Sequence, residues 1–162
     1  MDKPIFIPLE LDDEQKYQLL IPQLKSLLDK NFNLISNLSN LTAVIKQVFS
    51  KVNWAGIYLF DGEKLYLGPF QGNVACSVIK LGTGVCGIAA KKFETIIVPD
   101  VSKYEGYISC DAEAKSEIVV PLYNSEKFFG VLDLDSNSYN AFNEIDKKYL
   151  ENLREYLAKE IF

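Results

Sequence analysis

Apolar side chains recur at spacings of three and four early in the chain and alternate with a period of two further on, so the pattern passes from helix to strand. Tyr17, Leu20, Ile21, Leu24, Leu27 and Leu28 form one stripe, and Asp12-Asp13-Glu14 ahead of them can cap it. The spacing predicts an amphipathic helix that Pro22 should kink or break into two short pieces. A second helix is expected to begin near Asn37-Leu38-Ser39-Asn40, with Leu41, Val44, Ile45, Val48 and Phe49 on one face.

The texture changes at NWAGIYLF (residues 53–60) and KLYLGPF (64–70), which flank the turn signal Asp61-Gly62-Glu63 and predict an antiparallel hairpin. Residues 71–85 read as loop, with Gly72, Gly82 and Gly84, before a short helix CGIAAKKF and a strand TIIVPD. A polar stretch, 100–115, leads to SEIVVPLY and KFFGVLDLDS, two strands joined by Asn124-Ser125-Glu126. Asn143 then caps a helix carrying Ile145, Tyr149, Leu150, Leu153, Tyr156, Leu157 and Ile161. The order α-α-β-β-α-β-β-β-α predicts an α+β fold, a central antiparallel sheet with helices packed on one face. A chain of 162 residues fits a single domain: a helical segment 1–50, a sheet with its loops 51–140 and a C-terminal helix 141–162.

Composition narrows the choice of partner. With 48% hydrophobic and 24% charged residues the chain has material for a full core, which excludes disorder and fibrous repeats. The net charge of -5, with Lys and Arg scattered, argues against nucleic acid or an anionic membrane and leaves a small molecule as the expected ligand. The opening MDKPIFIPLELDDEQ lacks the basic and apolar regions of a signal peptide, and no stretch approaches the ~18 apolar residues of a membrane span, so a cytoplasmic location is expected.

The absence of histidine removes Ser-His-Asp and Cys-His catalysis, His-ligated metals and the usual proton shuttle at neutral pH. Acid or base chemistry must come from carboxylates, tyrosines, lysines or thiols. Cys76, Cys86 and Cys110 are too far apart in sequence for a close C-x2-4-C pair, so no metal site is expected from them. Each can be a small buried hydrophobe or a redox thiol. Cys86 follows Gly82-Thr83-Gly84-Val85 at the start of a short helix, where backbone N–H groups and the helix dipole favour a thiolate or an anionic ligand group. Cys110 sits in a polar loop.

Asp133 and Asp135, two apart in a strand, point to one face of the sheet, and Glu117 opens the preceding strand. They form either a solvated sheet face or a cluster whose repulsion and burial keep at least one acid protonated at neutral pH. Trp54 and Tyr58 on the first hairpin, with Phe60, Tyr66 and Phe70, serve either as core or as the wall of a pocket.

The stretches WAGIYLF, LGPFQGNVACSVIKLGTGVCGIAA, VPDVSKYEGYISCDAEAKSEIVVPL and GVLDLDS closely resemble the free methionine-(R)-sulfoxide reductases, stand-alone enzymes of the GAF-domain fold. The resemblance runs from about residue 50 to 140 and includes the spacing of the three cysteines. It implies a GAF-like domain with its ligand pocket on the sheet face opposite the terminal helices. It implies reduction of the R-epimer of free methionine sulfoxide, with Cys110 as nucleophile, Cys76 as principal resolving thiol and Cys86 as a further thiol able to pair with Cys110. Trp54 and Tyr58 would contact the substrate, Trp54 holding its methyl group, and Glu117, Asp133 and Asp135 would line the polar end. No metal or organic cofactor is implied; thioredoxin is the external reductant and a homodimer the assembly. The competing readings are a GAF sensor that binds a small ligand without turnover and a thiol redox sensor.

Overall fold

The computed structural model describes residues 4–162; the first three residues of the segment 1–50 lie outside it. Helix α1 (Asp13–Leu27) opens on a capping box, Asp12 Oδ1 accepting from Gln15 N at 2.8 Å and Gln15 Oε1 accepting from Asp12 N at 3.2 Å. Pro22 does not break it, against the sequence expectation, and the helix runs through as one element. Gln18, whose carbonyl loses its partner to the proline ring, is exposed, as is Pro22, so water can satisfy that carbonyl. Helix α2 (Leu34–Val48) begins a turn earlier than its pattern suggests, because Asn33 is the cap and accepts from Ile35 N at 2.8 Å. Asn37 is instead buried, tying the α1–α2 connection together by donating to Asp29 O at 2.8 Å and accepting from Asp29 N at 3.2 Å.

Six strands form one antiparallel sheet: β1 (Trp54–Phe60), β2 (Lys64–Gln71), β3 (Val78–Lys80), β4 (Ile96–Val98), β5 (Ser116–Tyr123) and β6 (Phe128–Ser136). Their spatial order is β3-β2-β1-β6-β5-β4, so the two hairpins meet at β1 and β6 in the centre. β3, three residues with only Ile79 buried, falls in the stretch that reads as loop; a single apolar residue between polar neighbours carries no strand period. Helix α3 (Gly84–Lys92) and a 3-10 turn (Val101–Lys103) lie between β3 and β5, and α4 (Glu144–Glu160) follows β6 on its predicted cap Asn143.

Alternation along the central strands divides the interior in two. Ala55, Ile57, Ile118, Val120, Leu122, Leu132 and Leu134 pack with the apolar stripes of α1, α2 and α4 on one face. Trp54, Tyr58, Val119 and Val131 pack with Val85, Cys86, Ala89 and Ala90 of α3 on the other. β5 and β6 are therefore buried on both sides, unlike a half-solvated antiparallel strand. No helix of the described residues is long and apolar enough to cross a membrane.

The helical layer is fastened at one polar point. Asp146, fully buried, accepts from Tyr17 Oη at 2.9 Å, from Lys51 Nζ at 2.7 Å and from Asn143 N at 2.9 Å, and Lys51 also pairs with Asp13 at 2.6 Å. One carboxylate thus joins α1, α4 and the segment before β1. Asp146→Ala is expected to cost about 3–5 kcal/mol by leaving the Lys51 cation and the Tyr17 hydroxyl without this partner, measured as a lower midpoint in urea unfolding.

Candidate active site

The acids meet because strand register brings them together. Glu117 on β5 lies opposite Asp135 on β6, whose other neighbour is Trp54 on β1. Two pairs along, on the same face, Asp133 lies between Val119 and Gly56. Glu117, Asp133 and Asp135 are buried at 5%, 6% and 8% exposure, which decides against a solvated sheet face.

Helix α3 supplies the roof. Gly87 brings it against β3 so closely that a Cβ there would fall on the Lys80 carbonyl oxygen. The turn before α3 is closed by Thr83 Oγ1 donating to Lys80 O at 2.8 Å and Gly82 N donating to Gly87 O at 2.7 Å. Cys86, in the first turn of α3, faces the acids, its thiol donating to Glu117 Oε1 at 3.9 Å.

The loop between the 3-10 turn and β5 closes the remaining side. Cys110 from this loop is joined to Cys76, from the β2–β3 connection, by a disulfide with Cα atoms 5.1 Å apart. Cys86 stays free and buried. Cys86, Cys110, Glu117, Asp133 and Asp135 line one cavity of about 30 Å³ together with Tyr107 and Asp111. That is space for about one water molecule.

Trp54 and Tyr58 lie beside this group rather than on the cavity surface. Both are 1% exposed and share an apolar cluster with Cys86. The Trp54 indole lies across Gly56, donates from Nε1 to Asn73 O at 3.0 Å and stacks on Phe70 at 5.5 Å and Tyr58 at 6.1 Å. Reasoning from sequence missed Tyr107 and Asp111, although both lie within three residues of Cys110 in the loop already singled out. Asp111 is 9% exposed and its Oδ1 accepts from Glu113 N at 3.0 Å, an Asx turn that shapes the segment after Cys110.

The GAF domain family model matches residues 33–161. The Dictyostelium discoideum GAF domain-containing protein A is 48% identical over 145 residues, 89% of this chain and 91% of its own length. The free methionine-R-sulfoxide reductase of Saccharomyces cerevisiae is 44% identical over 157 residues, 92% of this chain and 87% of its own. The free methionine-R-sulfoxide reductase of Neisseria meningitidis, solved in complex with its substrate, superposes with a TM-score of 0.92 at 38% identity, over 98% of this chain and 95% of that one. The chain belongs to the free methionine-(R)-sulfoxide reductase family of GAF domains.

In this reductase-family domain the acids have no basic partner among the described residues. No Lys or Arg lines the cavity, and none of the ion pairs among the described residues involves Glu117, Asp133 or Asp135. Burial, then the charges of Asp133 and Asp135, pushes Glu117 well above the usual carboxylate range. Burial, then Asp133 and Asp111, does the same to Asp135. Asp133 is raised by burial to about 7, the Cys86 thiol and Glu117 holding back part of the rise by hydrogen bonding. The cluster therefore retains protons at neutral pH. Burial followed by Asp133 and Glu117 raises the Cys86 thiol too, so the thiolate that the helix start favours is outweighed by its surroundings. The phenols of Tyr58 and Tyr107 stay protonated, raised by burial and then by Asp133 and Glu117 respectively.

Buried acids with raised folded-state pKa values bind more protons folded than unfolded, so stability is full below the unfolded carboxylate range and falls as pH rises through the folded values. Removing one charge should relieve this loss. Asp133→Asn is expected to stabilise the fold by about 1–3 kcal/mol near pH 8, and by progressively less as the pH approaches 4. Thermal melts across that range check it; a gain equal at both ends would contradict the assignment.

Proposed function

We propose that this protein reduces free methionine-(R)-sulfoxide to methionine. The observation that carries the reading is the Cys76–Cys110 disulfide beside a cavity lined by buried, uncompensated acids, in a chain 44% identical to a free methionine-R-sulfoxide reductase. The reaction needs a thiolate to attack sulfur while an acid protonates the departing oxygen. In a chain without histidine, we assign that acid to the clustered carboxyls, which burial keeps protonated.

In the proposed sequence Cys110 attacks the sulfoxide sulfur and the oxygen ends on Cys110 as a sulfenic acid, releasing methionine. The Cys76 thiol then displaces water from the sulfenic acid, forming the disulfide. A dithiol reductant, thioredoxin, restores two thiols and leaves as a disulfide. Cys86 is a further thiol able to pair with Cys110. The cavity beside the disulfide is too small for an amino acid, so reduction must release the Cys110 loop before substrate enters.

The electrostatics support a division of labour among the acids. Burial and mutual repulsion raise all three acids, and in the proposed division Asp133 pairs as a carboxylate with the substrate ammonium while a second acid of the group stays protonated. Glu117, whose Oε1 lies 3.9 Å from Cys86 Sγ, gives its proton to the sulfoxide oxygen. Backbone N–H groups around Cys110 take the substrate carboxylate. Trp54, stacked between Tyr58 and Phe70, faces the substrate methyl once the site opens, with Tyr58 completing that wall. We further assign the whole chain to one catalytic domain that works as a cytoplasmic homodimer.

The stereospecific assay is decisive: with thioredoxin, thioredoxin reductase and NADPH, turnover is expected with free R-sulfoxide and not with the peptide-bound form. A freshly reduced protein that releases no methionine would overturn the enzyme reading in favour of a GAF ligand sensor or a thiol redox sensor. Cys110→Ser is expected to lower kcat/KM by at least about 10³-fold, whereas Cys76→Ser should slow thioredoxin-dependent recycling more than the first turnover. Glu117→Gln, with the same shape but no acid proton, is expected to lower kcat by about 10²–10⁴-fold, read in single-turnover release of methionine.

A further inference from the structure

The roof of the cavity holds a thiol that the first chemical step does not use. The ligand atoms of Cys86, Glu117 and Asp133 lie within 4.8 Å of one another, with Cys86 Sγ 3.9 Å from Glu117 Oε1. All three side chains are buried and line the cavity. Asp133 is 6% exposed, and its Oδ1 has no hydrogen-bond partner among the described residues. A buried carboxylate oxygen facing a cavity without any Lys or Arg calls for a proton or a cation.

The donor set selects among cations. A thiol beside two carboxyls favours a thiophilic divalent ion over Mg²⁺ or Ca²⁺, which take oxygen ligands. A tetrahedral zinc ion, with bonds of about 2.3 Å to sulfur and about 2.1 Å to oxygen, holds its ligand atoms roughly 3.4–3.6 Å apart. The cluster reaches that geometry by closing at most about 1.4 Å between any two ligand atoms. The cavity leaves space for about one water, the usual fourth ligand of an open zinc site.

We propose that Cys86, Glu117 and Asp133 form a binding site for one thiophilic divalent cation of the zinc class. On binding, the thiol proton and any protons on the two carboxyls pass to solvent, and the ion gains one thiolate and two carboxylate ligands. The site depends on no step of the reductase reaction.

With the Cys76–Cys110 disulfide formed, Cys86 is the single remaining thiol, so cadmium, whose thiolate complexes absorb in the ultraviolet, reads this site alone. The full oxidised protein, titrated with cadmium chloride without sulfoxide, is expected to take up one equivalent as the thiolate-to-metal absorption grows. Excess magnesium should not suppress it, and calorimetry should give the same stoichiometry for zinc. Cys86→Ser is expected to abolish the absorption. Asp133→Asn and Glu117→Gln are each expected to weaken binding by about 10-fold or more, and either one that keeps the wild-type circular dichroism is sufficient. No absorption with the wild-type protein, or unchanged affinity in a folded carboxylate variant, overturns the site. Because no substrate is present, a failure of reductase turnover leaves this readout untouched.

Discussion

Three carboxyls are held out of water on a strand pair that is buried on both faces, with no basic side chain among the described residues to balance them. Ionised together, they would repel one another in a medium that screens poorly, so the folded state keeps protons on them. A chain without histidine thereby obtains an acid that is still protonated at neutral pH. The same burial raises the Cys86 thiol, so the site stores protons on both oxygen and sulfur.

That arrangement costs stability, and the two-faced sheet lets another part of the molecule offset it. The face toward α1, α2 and α4 is lined by Ala55, Ile57, Ile118, Val120, Leu122, Leu132 and Leu134 and carries the larger of the two clusters. Its fully buried carboxylate, Asp146, has a cation, a phenol and a backbone N–H as partners, the opposite of the unpartnered Asp133 Oδ1. The strands β5 and β6 belong to both faces. Leu132 and Leu134 anchor the backbone on the helical side, and Asp133 and Asp135 project from that anchored backbone on the other.

The cysteines differ in placement. Cys86 rides on a helix packed against the sheet, whereas Cys76 and Cys110 sit in connections joined by a disulfide beside the cavity. The disulfide joins two loops outside the strands, whereas the acids are held by the register of β5 and β6.

Local pattern determined much of this fold. Both hairpins, the caps of α1 and α4, the helical stripes and the shared face of Asp133 and Asp135 follow from periodicity and turn chemistry, which act over a few residues. The motif stretches also carried the family resemblance. Tertiary structure decided the rest, because burial and register depend on partners distant in sequence. Pairing set Glu117 opposite Asp135, and the covering by α3 turned a possible solvated face into a proton-holding cluster. The edge strand β3 exists only because β2 is beside it. Pro22 is tolerated because it and Gln18 face water, and the preference of a helix start for thiolate at Cys86 yields to the carboxyls that folding brings against it.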